Sequence, residues 1–186
     1  MLTSKIVIVS LLLFSQIYSV ANAKTNLFDT SNHPKSNGLS VTVSYPSQWR
    51  AEEVPKGKWM HQFHGKFNNT PVRLSLESKL IPNSNGKLEE DCKKMDSRDW
   101  GRFGGTFVEA FKISNKPIAI VKLSQPFPEQ NKILIGLIGI SCINNNMLLL
   151  NCETYIDSSN LDDANVKFDD VKKVCYNYFN SLKVKN

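Results

Sequence analysis

The sequence lacks the short motifs by which many enzyme classes are identified. It contains no Gly-x-Ser-x-Gly elbow, no glycine-rich phosphate loop and no cluster of metal-ligand residues, and it has only three histidines. It also has no internal repeat and no low-complexity tract. We therefore expect no cofactor. The sequence alone does not name a molecule on which the protein acts.

The composition is that of one ordinary folded domain. The 186 residues are 41% hydrophobic and 22% charged, which excludes a disordered or collagen-like chain. Three Trp, five Tyr and ten Phe supply large side chains for a core, so the four cysteines supplement the core and do not replace it.

Residues 1–23 have the features of a signal peptide. Lys5 precedes a mostly apolar run over residues 6–17, and Ala21-Asn22-Ala23 follows as a small-x-small cleavage triplet. The run is shorter than the ~20 apolar residues that are needed to cross a bilayer. No later apolar stretch is long enough to span a membrane. We expect export to the periplasm or the exterior, without stable membrane insertion.

Hydrophobic periodicity predicts an α+β domain over residues 39–186, preceded by a flexible, mostly polar leader at 24–38. Strands are predicted at 39–45, 59–65 and 72–81, followed by a first helix that carries Leu88, Cys92 and Met95. Two hairpins are predicted at 107–123 and 133–156, the second turning at its Asn-Asn-Asn segment.

A final apolar stripe predicts a C-terminal helix. Its members are Phe168, Val171, Cys175, Phe179 and Leu182. The expected architecture is a mostly antiparallel sheet of about seven strands covered by two helices.

One segment resembles a known family. In the PsbP/Mog1-like proteins a short opening strand runs into Tyr-Pro-x-x-Trp, and here Leu39 to Ser44 runs into Tyr45-Pro46-Ser47-Gln48-Trp49. The order of elements down to the C-terminal helix is similar too. The resemblance implies the same α+β fold and an accessory or binding role, and it carries over no catalytic residue.

His61 and His64 are the candidate metal ligands. On a strand, residues three apart point to opposite faces, so two partly exposed polar side chains are the favoured interpretation. The alternative is a small secreted hydrolase or metal-dependent enzyme that uses His61 or His64.

The candidate binding residues are Trp59, Arg98, Trp100 and Arg102. The last three could form an anion-binding or partner-docking corner, although a helix end with Trp100 in the core and paired arginines is favoured. Trp59 lies among lysines, a pattern compatible with nucleic-acid binding, but an exported protein rarely meets nucleic acid and a solvated strand edge explains the same residues.

Four cysteines in an exported chain are expected to be oxidised. If the second hairpin turns about Asn145, Cys142 and Cys152 lie ~13 Å apart along the ladder, beyond the ~7 Å Cα limit for a disulfide. A helix that returns antiparallel over the last strand brings Cys175 near Cys152. We therefore predict the pairs Cys152–Cys175 and Cys92–Cys142.

Together these features predict an exported, non-catalytic binding or accessory protein. Its partner would be an unknown protein or envelope ligand, with no nucleic acid involved.

The first testable prediction concerns export. Cleavage after Ala23 should give a mature chain that begins at Lys24, because the apolar run and the Ala-x-Ala triplet satisfy signal peptidase. Intact-mass measurement of the protein from its native fraction checks this, and a start within residues 1–17 would contradict it.

Overall fold

The structure is a computed structural model that describes residues 24–81, 94, 101 and 105–185. The predicted signal peptide and the predicted first helix, with Leu88, Cys92 and Met95, lie outside the described residues.

The described residues form two antiparallel sheets. The strands are β1 (Thr25–Asp29), β2 (Val41–Pro46), β3 (Arg50–Glu53), β4 (His61–Phe67), β5 (Thr70–Leu80), β6 (Gly105–Ile113), β7 (Lys116–Phe127), β8 (Lys132–Ile143), β9 (Asn146–Asp157) and β10 (Lys183–Val184). The large sheet has the order β3-β4-β5-β9-β8-β7-β6, and the small sheet has the order β1-β2-β10. The α+β class is confirmed, but the strands are divided between two sheets.

One α-helix, α1 (Leu161–Asn180), occurs in the part of the chain that the structure describes. Asn160 caps its first turn by accepting a hydrogen bond from the Asp162 N–H, and the predicted stripe of Phe168, Val171, Cys175 and Phe179 is fully buried. The C-terminal helix is thus confirmed. A cover of two helices is not found within the described residues, where the small sheet and α1 pack into the same buried cluster. Within the described ranges, no helix is long and apolar enough to cross a membrane.

Residues 24–38 were expected to be a flexible leader, but the structure contains a strand and a 3₁₀ helix there. Thr25–Asp29 pairs with β2 from Thr25↔Pro46 to Asp29↔Thr42, and Pro34–Ser36 forms a 3₁₀ helix. An edge strand forms by backbone hydrogen bonding and needs little apolar surface, so its polar sequence shows no period of two. The same reason explains β3, another edge strand, whose four residues are all exposed.

The large sheet has two differently covered faces. The first face packs against α1 and the small sheet, where Phe63, Leu74 and Tyr178 belong to one buried cluster. The second face carries a smaller apolar cluster, with Val121 and Cys142 at its centre. The Cβ atoms alternate between the two faces along each strand.

Three hairpin turns, two of them predicted, close with Asn or Ser in the left-handed region. Asn68 and Asn69 connect β4 to β5, Ser114 and Asn115 connect β6 to β7, and Asn144 has a φ of 54° between β8 and β9. Asn tolerates this conformation better than most residues, and two such residues in succession suit a tight hairpin.

The register of the β8–β9 hairpin differs by one residue from expectation. Ile143 pairs with Asn146, so the turn has two residues and Cys142 lies opposite Met147, not Leu148. Cys152 accordingly lies opposite Leu137, not Ile138. The two cysteines remain far apart along the ladder, and the exclusion of a Cys142–Cys152 bond stands.

The predicted disulfide between Cys152 and Cys175 is confirmed. It joins β9 to α1 with a Cα–Cα distance of 5.3 Å. Cys142 is also disulfide-bonded. Its predicted partner, Cys92, lies outside the described residues, so that pairing stays a prediction.

The Tyr-Pro-x-x-Trp segment connects β2 to the large sheet. Tyr45 stacks on Phe63 with ring centroids 4.1 Å apart, and the Trp49 indole is buried over Gly65 of β4. A Cβ at Gly65 would lie 2.3 Å from the Trp49 ring, so only glycine allows this contact.

The second prediction tests that contact. Gly65→Ala should lower the free energy of unfolding by about 2 kcal/mol, because the indole must move out of a well-packed site. Lys66→Ala, at the exposed neighbouring position, is the control and should change it by less than about 0.5 kcal/mol. Chemical denaturation measures both; equal stabilities would contradict the close approach.

The third prediction concerns the Cys152–Cys175 bond. Replacing both residues with Ala should lower the free energy of unfolding by about 3 kcal/mol, because the bond closes a loop with a sequence separation of 23. Denaturation under non-reducing conditions measures the loss. An unchanged midpoint would show that the bond adds nothing to helix packing.

Candidate functional site

The second face of the large sheet is buried at one end and open at the other. Ser75 and Asn151, opposite each other on β5 and β9, are 0% and 4% exposed. Further along the same face, Lys66, Pro71, Tyr155 and Gln125 are exposed on four different strands. We call the region of these four residues the open end. A partner can reach this part of the face.

A hydrogen-bonded ion pair lies beside the open end. Arg73 and Glu153 are directly opposite each other, and the Arg73 Nε–H donates to Glu153 Oε1 at 2.6 Å, with Nη2 2.5 Å from the same oxygen. Both side chains are mostly buried, at 33% and 16% exposure. Such charge-assisted bonds fix the geometry of both side chains.

Gly136 of β8 lies opposite Glu153 and lets the two strands meet closely. A Cβ there would lie 2.8 Å from the Cys152 carbonyl oxygen and 2.9 Å from Glu153 Cβ. Because Gly136 has no side chain, the Glu153 Cβ fits between the two strands.

Tyr155 is the largest exposed side chain at the open end, with 42% of its surface accessible. Its ring centroid is 6.0 Å from the Arg73 guanidinium carbon on one side and 6.1 Å from the Phe127 ring on the other. These neighbours restrict the ring, although its surface stays available. A groove runs beside it, lined by His64, Arg73 and Glu153 among others.

His64 completes the groove as an uncharged side chain. Burial lowers the pKa of its imidazole below the usual 6.5; Glu52 opposes this, and the guanidinium groups of Arg50 and Arg73 reinforce it. Its Nε2 is 3.9 Å from Glu52 Oε2 and makes no hydrogen bond. At neutral pH the uncharged imidazole therefore keeps one buried ring nitrogen without a hydrogen-bond partner.

His61 lies on the other face of β4. Its ring is 4.5 Å from the Phe28 ring and 4.9 Å from the Phe63 ring, on the side of α1 and the small sheet. The two imidazoles cannot converge on one ion. Within residues 24–81 and 105–185, no group of three or more metal-ligating side chains occurs. His61 and His64 therefore lie on opposite faces of β4 as two separate polar side chains.

Trp59 had been expected on a strand, but it lies in the loop before β4. The Lys58 ammonium sits 4.6 Å from the Trp59 ring centroid and 3.3 Å from Glu77 Oε2, at the buried end of the second face. Glu77 is four residues from Arg73 along β5, or about 13 Å. Trp59 is thus not part of the open end. The other predicted binding residues, Arg98, Trp100 and Arg102, lie outside the described residues.

The sequence analysis missed Arg73, Glu153 and Tyr155. Each lies in a predicted strand, and a signal was present, because Arg73 and Glu153 are charges of opposite sign next to apolar residues of these strands. Recognising them as a pair requires the β5–β9 register, which joins segments about 70 residues apart in sequence.

No protein-family model and no curated protein sequence matches the chain. Solved structures do resemble it. A Bacteroides thetaiotaomicron protein has a TM-score of 0.46 at 15% identity. The match covers 78% of this chain but only 45% of that protein's length. LpqN of Mycobacterium tuberculosis, described as involved in cell envelope biogenesis, has a TM-score of 0.45 at 10% identity, covering 87% of this chain and 92% of LpqN.

The Saccharomyces cerevisiae Ran-binding protein Mog1p has a TM-score of 0.51 at 8% identity. The match covers 88% of this chain and 96% of Mog1p. At such low identity the likeness concerns the fold alone. Together with the two sheets and α1, it shows that the chain has a PsbP/Mog1-like fold.

Proposed function

We propose that the chain is an exported, non-catalytic binding or accessory protein that contacts an unknown partner protein through the open end. The observation that carries this proposal is the exposed Tyr155 ring, flanked by Arg73 and Phe127 on strands fixed by the sheet ladder.

The chemistry of this surface suits protein recognition. Tyr and Arg supply much of the binding energy in protein interfaces, and a ring that is already restricted loses little entropy on binding. The Arg73–Glu153 pair satisfies its own charges, so a partner can cover it without leaving an unpaired ion. Mog1p, described as Ran-binding, gives a precedent for protein binding on this fold but does not identify the partner.

Two features support export. Residues 1–23 fit a signal peptide, and the disulfide bonds of Cys152, Cys175 and Cys142 suit an oxidising compartment.

The fourth prediction tests the surface. Mature protein should be used to capture and crosslink partners from its native envelope or secreted fraction, with identification by mass spectrometry. Tyr155→Ala should weaken binding of the captured partner by at least about tenfold, since loss of a central aromatic anchor commonly costs 2 kcal/mol or more.

Val166→Ala is the matched control, because Val166 is 71% exposed on α1, on the other side of the large sheet. It should bind as the unchanged protein does. If Tyr155→Ala and Val166→Ala retain the same affinity while both melt as the unchanged protein does, the open end is not the binding surface.

The fifth prediction addresses catalysis and metal. Purified mature protein should contain zinc only at background level, and a double His61→Ala, His64→Ala variant should have the same background content. Stoichiometric zinc that disappears in the double variant would overturn the non-catalytic assignment.

A further inference from the structure

Two imidazoles meet the same aromatic ring where residues 24–38 fold back onto the domain. Phe28 of β1 lies 4.5 Å from the His61 ring of β4 and 6.1 Å from the His33 ring, measured between centroids. His33 belongs to the turn that follows β1. The Phe28 side chain therefore packs against both histidines where β1 meets the large sheet.

The neutral form of His33 is required for a backbone contact. His33 caps the Pro34–Ser36 helix, and its Nδ1 accepts a hydrogen bond from the Lys35 N–H at 3.1 Å. A protonated imidazole has a hydrogen on both nitrogens and cannot accept. Its other nitrogen, Nε2, is buried without a partner. Protonation of His33 thus removes the cap directly.

His61 is also disposed to remain neutral. Burial lowers the pKa of its imidazole from 6.5; Glu53 and Glu52 of β3 raise it, and His33 lowers it further. The other charged groups nearby are already engaged: Lys35 Nζ donates to the carbonyls of Val54 and Trp59, and Asp29 is paired with Lys185.

We propose that His33, Phe28 and His61 form an acid-sensitive clasp that fastens β1 at neutral pH and releases residues 24–38 when both imidazoles are protonated. The positive charges of His33 and His61 repel each other, and the His33 cap is lost. The imidazole against Phe28 then carries a charge in a half-buried site, which is unfavourable. Since β1 is an outer strand of the small sheet, its release leaves the edge of β2 unpaired and able to accept another strand.

The direction of the pH dependence follows from linkage. The folded pKa of His61 lies below the usual value of 6.5, so the released segment binds more protons than the clasped one once the pH falls below about 6.5. Acid therefore favours release, and the clasped form is favoured above that pH.

The test compares amide hydrogen exchange of β1 with that of β8 by NMR between pH 7.5 and 5.0, corrected for intrinsic exchange rates. In the unchanged protein, the protection of β1 relative to β8 should fall at least tenfold across this range. The fall should follow the titration of the His33 and His61 ring protons in the same samples.

Matched variants separate the clasp from general acid sensitivity. In the His33→Asn, His61→Phe double variant, Asn supplies a cap acceptor at every pH and Phe keeps a ring against Phe28, so the β1 protection should not change with pH. His64→Gln removes the imidazole on the other face and should behave as the unchanged protein does.

Two results would overturn the proposal. One is an unchanged β1 protection in the native protein while both imidazoles titrate. The other is the same loss of protection in the double variant. If the double variant fails to fold, the comparison of ring titration with β1 protection in the native protein decides alone.

Discussion

The packing of α1 onto the first face of the large sheet is the contact on which the other elements depend. Its buried stripe fills the space above β4, β5, β8 and β9, and the Cys152–Cys175 bond fixes it to β9. The helix end then determines the small sheet. Ser181 Oγ accepts a hydrogen bond from the Ser44 N–H of β2, and Lys183–Val184 follows at once as β10. The small sheet, including β1, is therefore positioned by contacts with the C-terminal end of α1.

The two faces of the large sheet therefore have different roles. The first face satisfies the hydrophobic requirement of the fold, because it meets both the helix and the small sheet. The open end of the second face carries polar and aromatic side chains instead, and their backbones belong to the same rigid ladder. A binding surface on central strands is held more precisely than one on loops, which supports the assignment of this end as the contact surface.

The features that the sequence predicted are those with local or periodic causes. The helical stripe from Phe168 to Phe179, the Asn-rich hairpin turns and the Cys152–Cys175 pairing all depend on spacing within short segments or on one antiparallel return. Strands β1, β3 and β10 could not be predicted in this way, because they pair at sheet edges with largely polar sequences. The partner of β10, strand β2, is also far away along the chain. The candidate site was missed for the same reason: Arg73 and Glu153 become a pair only when the β5–β9 register is known.

That register has its own physical determinant. No hairpin joins β5 to β9, so turn geometry cannot specify their alignment as it does for β8 and β9. A slip of one residue would move the apolar side chains of β5 to the wrong face, but a slip of two would preserve the faces. It would, however, place Arg73 opposite Asn151 or the position of Tyr155 and leave a largely buried charge without its partner. Because a partly buried charge is costly to leave unpaired, the Arg73–Glu153 contact favours the observed register. The ion pair that borders the groove beside Tyr155 thus also favours the alignment of the two strands that carry it.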